Sequence, residues 1–467
     1  MSSPTFVRKG LLRLSWPLLA ITVFTLLATL GNVALLSAAS PELNAAVATA
    51  NQILGVVYDV SVLFSIGALV VIAQQLGAGR LDAARRSVAI ALRSSSALGI
   101  VLALAVALGA VVLVDLVGTP AEVADDAIVY LWIVAGGLAF NAYIVAASAV
   151  LRAYGRTPAL LVIGIVVNVL DVALLAVLLL VLEWGAVGAA LPTLVVRGVG
   201  VLVLAVLVRR ATGASVLGRL PARADGEPGA AAMARLSIPS VLENGAYNLV
   251  IVAVVTLVNA LGTDAINARS YVLTLTALVT GVVLALAQGN ETIVGWDVGA
   301  RDRATAKRRT LRTAGWTALV AALLTLVLAL LAEPALAVFG AGDEVVTLAR
   351  DGLFVSAILL PLSAVTAVVY GALRSAGDVV VPMVISIATS VLVLLPASWL
   401  LVGQWGLGVA GVFWALAVAE AVKAALLLVR LLRSRWSEGR PAEGAARAPG
   451  GRQRRITSSR VARVIAT

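Results

Sequence analysis

The chain has 467 residues, 61% of them hydrophobic and only 13% charged, with a mean hydropathy of +1.04. A soluble domain cannot carry that balance, and ten-residue alternating strand patterns are absent, so the sequence reads as an all-α membrane protein and not an outer-membrane barrel. Cysteine and histidine are both missing, which removes disulfides, thiol nucleophiles, Cys/His metal sites and histidine proton relays; a titrating group inside the membrane has to be a carboxylate or a lysine.

In chain order, twelve apolar segments are predicted as helices: 12–36, 46–76, 87–117, 127–151, 158–181, 186–208, 233–260, 265–295, 313–332, 345–372, 380–401 and 407–432. Each can cross roughly 30 Å of hydrocarbon. The first follows Arg8 and Lys9 and runs to Leu36 without a small-residue cleavage site, so it is expected to stay as a span rather than leave as a signal peptide. Segments 46–76 and 265–295 exceed the minimum length and are expected to tilt, bend or project beyond the bilayer. Residues 210–232 interrupt the pattern with Gly, Pro and charge, and 434–467 lack an apolar period. The expected division is therefore a first lobe over 1–209, a cytoplasmic linker over 210–232, a second lobe over 233–433 and a disordered basic tail over 434–467.

The formal net charge of +11 is not spread evenly. Arg80, Arg85, Arg86, Arg152, Arg156 and Arg209 fall in alternate connections, as do Arg210, Arg301, Arg303, Lys307 and Arg308. The intervening connections carry acids instead, Glu42, Glu122, Asp125, Asp126, Glu183, Glu333, Asp343 and Glu344. The positive-inside rule then puts both termini in the cytoplasm, a parity that twelve spans satisfy. The basic excess is read as a topology signal and a contact for anionic lipids, with no nucleic-acid partner.

The two halves repeat at an offset of 222 residues. Pro17 maps to Pro239, Gly67 to Gly289, Gly77-Ala78 to Gly299-Ala300, Leu151-Arg152 to Leu373-Arg374 and Gly155 to Gly377. With one residue more, GAVGAA at 185–190 matches GVAGVF at 408–413. Six helices per repeat is even, so both repeats start from the same side and are parallel, an architecture suited to alternating access, although duplication also builds channels and scaffolds.

The same landmarks resemble the multidrug and toxic compound extrusion (MATE) family, within the superfamily that also holds lipid and polysaccharide flippases. The carriers are SWPLLAITVFTLLATLGNVALL, GALVVIAQQLGAGRLDAARR, LRAYGRTPALLVIGIVVNVLD and WGAVGAALPT in the first half. In the second they are LSIPSVLEN, GNETIVGWDVGA, LRSAGDVVVPM and GLGVAGVFWALA. The resemblance implies two lobes around a V-shaped cavity and export of amphipathic or cationic small molecules against inward protons or sodium ions, with no other cofactor and a monomeric chain. It also implies a cation site on the fifth helix, where Asn168 and Asp171 stand three residues apart instead of four, and an acid on the first helix, where this chain has Asn32.

Ionisable residues inside spans are costly and are default site candidates. Glu243 leads, one turn after Pro239 and beside Asn244, Tyr247 and Asn248. It could carry a proton, hold sodium with the amide oxygens, or only fix helix packing. Sodium is considered at Glu243 or Asp171. Glu291 lies about eight residues before the cytoplasmic end of the eighth helix, roughly 12 Å deep, where it either lines the cavity or partners a neighbouring helix. Asp59, next to Tyr58, has the same two readings. Arg197 and Glu420 are repeat equivalents of opposite charge, which suggests a structural pair, and Lys423 is a second partner for Glu420. The rival functions are a lipid-linked oligosaccharide flippase, which needs an arginine-lined cavity, and a scaffold that transports nothing. A membrane-embedded glycosyltransferase would need a large outer loop that is absent here, and no nucleotide loop supports an ATP-driven pump or enzyme.

Overall fold

The computed structural model describes residues 8–216, 218, 228–337 and 342–433, and these are helical almost throughout. The expected tail over 434–467 and most of the centre of the linker lie outside the described residues. Among those described, eleven helices are long and apolar enough to cross a membrane, and a bent pair makes a twelfth span. The first half runs α1 (Leu11–Ala39), α2 (Pro41–Gly77), α3 (Leu81–Leu116), α4 (Ala121–Gly136 and Leu138–Ala153), α5 (Thr157–Val181) and α6 (Gly185–Thr212). The second runs α7 (Ala230–Asn259), α8 (Thr263–Gly299), α9 (Arg303–Leu330), α10 (Asp343–Ser375), α11 (Val380–Gln404) and α12 (Gly408–Arg433).

Local chemistry sets the ends. Ser40 accepts the Leu43 N–H at 3.1 Å with Pro41 just inside the helix, so α2 starts one residue after α1 ends. Asp302 caps α9 in the same way, taking the Thr305 N–H at 3.1 Å. That cap starts α9 ten residues before the predicted 313, because the helix continues through the polar turns Arg303–Arg312 that a hydropathy pattern reads as connection. The two over-long segments differ in how they use their 37 residues: α8 is continuous, whereas α2 breaks at Val62. In α4 the Gly136-Gly137 pair admits a 48° bend.

The repeat is visible as reciprocal contacts about a pseudo-two-fold axis between α2 and α8. A Cβ on Gly77 would stand 2.8 Å from the Trp296 Cα, and one on Gly299 would stand 2.8 Å from the Gln74 Cα. These are one contact and its 222-residue image. Gly67 N–H donates to Ser237 Oγ at 2.8 Å, while its image Gly289 lies against Ser15 Oγ. Gln74 Nε2 donates to the Ser375 carbonyl at 2.7 Å, and the image bond runs from Trp296 Nε1 to the Ala153 carbonyl at 2.8 Å.

The one-residue slip in the offset also has a structural cause. Both α5 and α11 end in a widened π turn, Val177–Val181 and Trp399–Gln404, and Gly188 and Gly411 pack on the carbonyls of Leu178 and Leu401. Helix α11 has one further π turn, Ser390–Leu394, with Pro396 just after it. A turn closed i to i+5 holds one residue more than an α turn, so it absorbs the insertion and restores the register beyond it.

Candidate functional site

The lobes, α1–α6 and α7–α12, meet mainly at the arginine-bearing end of the bundle. There the core crosses between them: Trp296 is 1% exposed and packs in one cluster with Leu14, Leu76 and Tyr154 of the first lobe. Arg8 reaches the Trp296 carbonyl at 3.5 Å and Asp297 at 3.6 Å, and Asp297 is also 3.4 Å from Arg309. Small residues allow this approach, since Gly67, Gly77 and Gly299 let backbone lie directly on backbone.

Beneath that seam, two repeat-equivalent arginines converge on one carboxylate. Arg374 Nε donates to Glu291 at 2.7 Å and its guanidinium lies 5.6 Å from the Tyr370 ring. From the other lobe Arg152 donates to Gln288 Oε1 at 2.6 Å, near enough for the charges of Glu291 and Arg374 to act on it. Glu291 is 3% exposed, so it does not line an open cavity and serves as an ion-pair partner for its neighbour. Glu243 is half-buried on α7 and faces the Tyr370 hydroxyl, although that hydroxyl closes no hydrogen bond of good geometry. Ser240, one turn nearer the basic end, is 3.4 Å from Arg374.

A second polar cluster lies wholly in the first lobe. Asn32 Nδ2 donates to Asp171 Oδ2 at 2.7 Å, joining α1 to α5, and the other Asn32 amide atom, Oδ1, is buried without a partner. Asn168 turns one donor to Thr25 Oγ1 at 3.2 Å and to the Gly164 carbonyl at 2.8 Å. Arg197 donates to the Tyr58 hydroxyl at 2.7 Å, 5.0 Å from that ring's centre, and its charge reaches Asp171. Chemically, Asp171 has an amide donor on one side and a fixed cation nearby, so a proton or sodium ion would have to compete with Arg197 for it.

The remaining predicted residues separate. Asp59 accepts from Asn248 at 3.1 Å across the two lobes, nearer the middle of the bundle than the basic seam. Asn244 is exposed and makes no hydrogen bond among the described residues. Tyr247 packs 5.7 Å from the Lys423 ammonium. The suggested Arg197–Glu420 pair does not form: Glu420 binds Lys423 at 2.7 Å in its own helix, and Arg197 is held by Tyr58 in the other lobe. The sequence reading also passed over Arg152, Arg374 and Tyr370 as site residues. In the sequence the two arginines are repeat landmarks at the ends of their segments, and nothing there marks them as partners of Glu291 or Gln288.

The MatE family profile matches residues 17–177 and again 239–400, one stretch per half. Its two starts are 222 apart and its two ends 223, as the π turn in α11 requires. The uncharacterized transporter YisQ of Bacillus subtilis (strain 168) is 24% identical over 440 residues, covering 93% of this chain and 96% of its own length. The probable multidrug resistance protein NorM of Thermotoga maritima is 23% identical over 446 residues, covering 92% and 94%. Among solved structures, a mutant of the Vibrio cholerae MATE transporter VcmN superposes with a TM-score of 0.84 at 22% identity, covering 92% of this chain and 97% of that one. At that identity the likeness speaks for the two-lobe fold.

Proposed function

The chain belongs to the MatE family, and from that premise we propose that it is a secondary antiporter exporting small amphipathic or cationic compounds in exchange for protons or sodium ions. The observation that carries this reading is the pseudo-symmetric seam: two lobes held together at one end by backbone-on-backbone contacts, with half-buried carboxylates Asp171 and Glu243 in separate lobes. Such a pair of rigid lobes has a second arrangement available, in which the seam parts and the opposite ends meet. With the arginine-bearing end in the cytoplasm of a bacterial inner membrane, the conformer described here is the outward-facing one. Asp171 and Glu243 are the coupling carboxylates, whereas Glu291 belongs to the seam. The working unit is a monomer, and the coupling ion is cargo rather than a resident cofactor.

Engagement of the arginines argues against an oligosaccharide flippase. Arg197, Arg152 and Arg374 are committed to Tyr58, Gln288 and Glu291, and Arg269 of α8, which has no carboxylate within ion-pair distance among the described residues, is a single cation and not the cluster a pyrophosphate needs. The test is dye efflux from vesicles with proton and sodium gradients imposed separately, on the wild type, Asp171→Asn and Glu243→Gln. Gradient-driven efflux by the wild type and its loss in at least one variant supports the reading. Undiminished efflux in both variants removes these carboxylates from coupling, and no flux under either gradient removes antiport.

A further inference from the structure

At the basic end, α9 presents a face that neither the fold nor the proposed transport uses. Arg308, Arg312, Trp316 and Val320 follow one another at intervals of four residues, so they form one stripe descending from the basic end toward the hydrocarbon. Leu12 of α1 and Leu286 of α8 line the other side of a groove of about 700 Å³. Neither Arg308 nor Arg312 has a carboxylate within ion-pair distance among the described residues; Arg309, the third arginine of the groove, is shared with Asp297 at 3.4 Å. Trp316 is 67% exposed and Leu12 74%.

The repeat supplies an internal comparison. At the matching positions of α3, Arg308, Arg312, Trp316 and Val320 correspond to Arg86, Ile90, Ser94 and Leu98, so the first arginine and the apolar end are shared and Arg312 and Trp316 are not. Of the three arginines in α3, Arg85 donates to the Thr212 carbonyl at 2.8 Å and Arg93 to the Val216 carbonyl at 2.8 Å. The same helix in the other lobe thus folds without a second arginine and without a tryptophan at these positions, so packing does not account for Arg312 and Trp316.

We propose that this groove binds one anionic phospholipid, its phosphate held by Arg308 and Arg312, its glycerol region against Trp316 and its chains running over Val320, Leu12 and Leu286. Two guanidinium groups without a carboxylate in ion-pair distance among the described residues, Arg308 feeling only the more distant charge of Asp302, give the charge that an anionic headgroup complements, and basic pockets between helices on this side of a membrane suit such headgroups. An aromatic ring below them at the interface, then aliphatic side chains, repeats the order of polarity along a lipid molecule. The apolar continuation selects a lipid over a free phosphate ion. Because α1 belongs to one lobe and α8 and α9 to the other, a lipid seated there also touches both sides of the seam.

Native mass spectrometry of the purified full-length chain, titrated with phosphatidylglycerol or phosphatidylcholine of equal chain length, tests this. The wild type retains phosphatidylglycerol at least tenfold better than phosphatidylcholine. The Arg308→Ala/Arg312→Ala variant loses that preference, and Arg209→Ala/Arg210→Ala, which removes the same charge from another basic surface, keeps it. Equal loss in both variants would reduce the effect to diffuse electrostatics and overturn the site. So would full competition by glycerophosphoglycerol or inorganic phosphate, which lack chains. A second readout does not depend on the double variant: tail-brominated phosphatidylglycerol quenches wild-type fluorescence more than that of Trp316→Phe. Identical quenching in the two proteins excludes a lipid whose chains begin at Trp316 and run over Val320, one turn further on.

Discussion

Replacing Gly77 by alanine tests the closed end of the molecule with one added carbon. That carbon would lie 2.8 Å from the Cα and carbonyl carbon of Trp296, closer still to its oxygen. Ordinary carbon contacts need about 3.5 Å, so the seam must part by at least about 0.7 Å, and by more to clear the oxygen. The obstacle is backbone and cannot rotate aside. Overpacking of this kind costs about 1–3 kcal/mol. Because the contact exists only where the lobes meet at this end, the cost falls on one conformer, and the closed-to-open ratio drops about 5- to 150-fold. Gly299→Ala, the image substitution against Gln74, has the same effect. The chain has no cysteine, so spin labels on Arg80→Cys and Ala304→Cys report cleanly across the basic end by double electron–electron resonance. Gly315→Ala is the control, since nothing lies within 4 Å of its Cβ position. The short-distance population shrinks in both seam variants and holds in the control. An unchanged distance distribution in Gly77→Ala, Gly299→Ala and their double would refute the seam as the closed gate.

Two other outcomes follow from the charges. Glu291→Gln leaves Arg374 without its carboxylate in a buried setting, which costs about 3–5 kcal/mol and lowers the unfolding temperature in detergent; an unaltered melting profile would mean that the pair is replaced by water. At the start of α9, hydrogen bonds from Thr305 hold the Asp302 carboxyl below the usual carboxylate range. A depressed folded value means that its contribution is present above the unfolded value near about 3.9 and is lost as pH falls through the folded one. Asp302→Asn, which keeps a side-chain oxygen for the cap but not the charge, should therefore lower stability slightly at neutral pH and flatten the acid limb of a stability–pH profile below about pH 4; an acid limb as steep as the wild type's counts against this cap.

Much of the bundle was readable because lipid imposes it. A span must be long and apolar, so the order of the helices could be counted from hydropathy, and alternating loop charge gave their parity. The places where that reading missed are those where lipid is not the selecting environment. Helix α9 begins at Arg303 because Asp302 caps it, in polar turns with no apolar period. The π turn at Ser390–Leu394 was legible only as a one-residue slip, without its location.

Of the candidate site, the sequence named Asn32, Asn168 and Asp171 and the structure brings them to neighbouring faces of α1 and α5. It named Glu243 and Glu291 but not the arginines and the tyrosine between them. Hydropathy and spacing say which face of a helix a residue occupies, and nothing about which other helix lies opposite.

By itself, then, the sequence determined a membrane bundle of two parallel repeats, because hydrocarbon and duplication both leave periodic marks on a chain. Tertiary structure decided which equivalent residues meet. Positions related by a two-fold axis touch only when they lie close to it. Gly77 against Trp296 and its image Gly299 against Gln74 do lie close, so they form the seam, and Arg152 and Arg374 are near enough to feel each other's charge in the cluster beneath it. Arg197 and Glu420 are equally good equivalents in the sequence, but they find their partners inside their own lobes. Distance from the axis is a property of the packed bundle, and no single segment of chain encodes it.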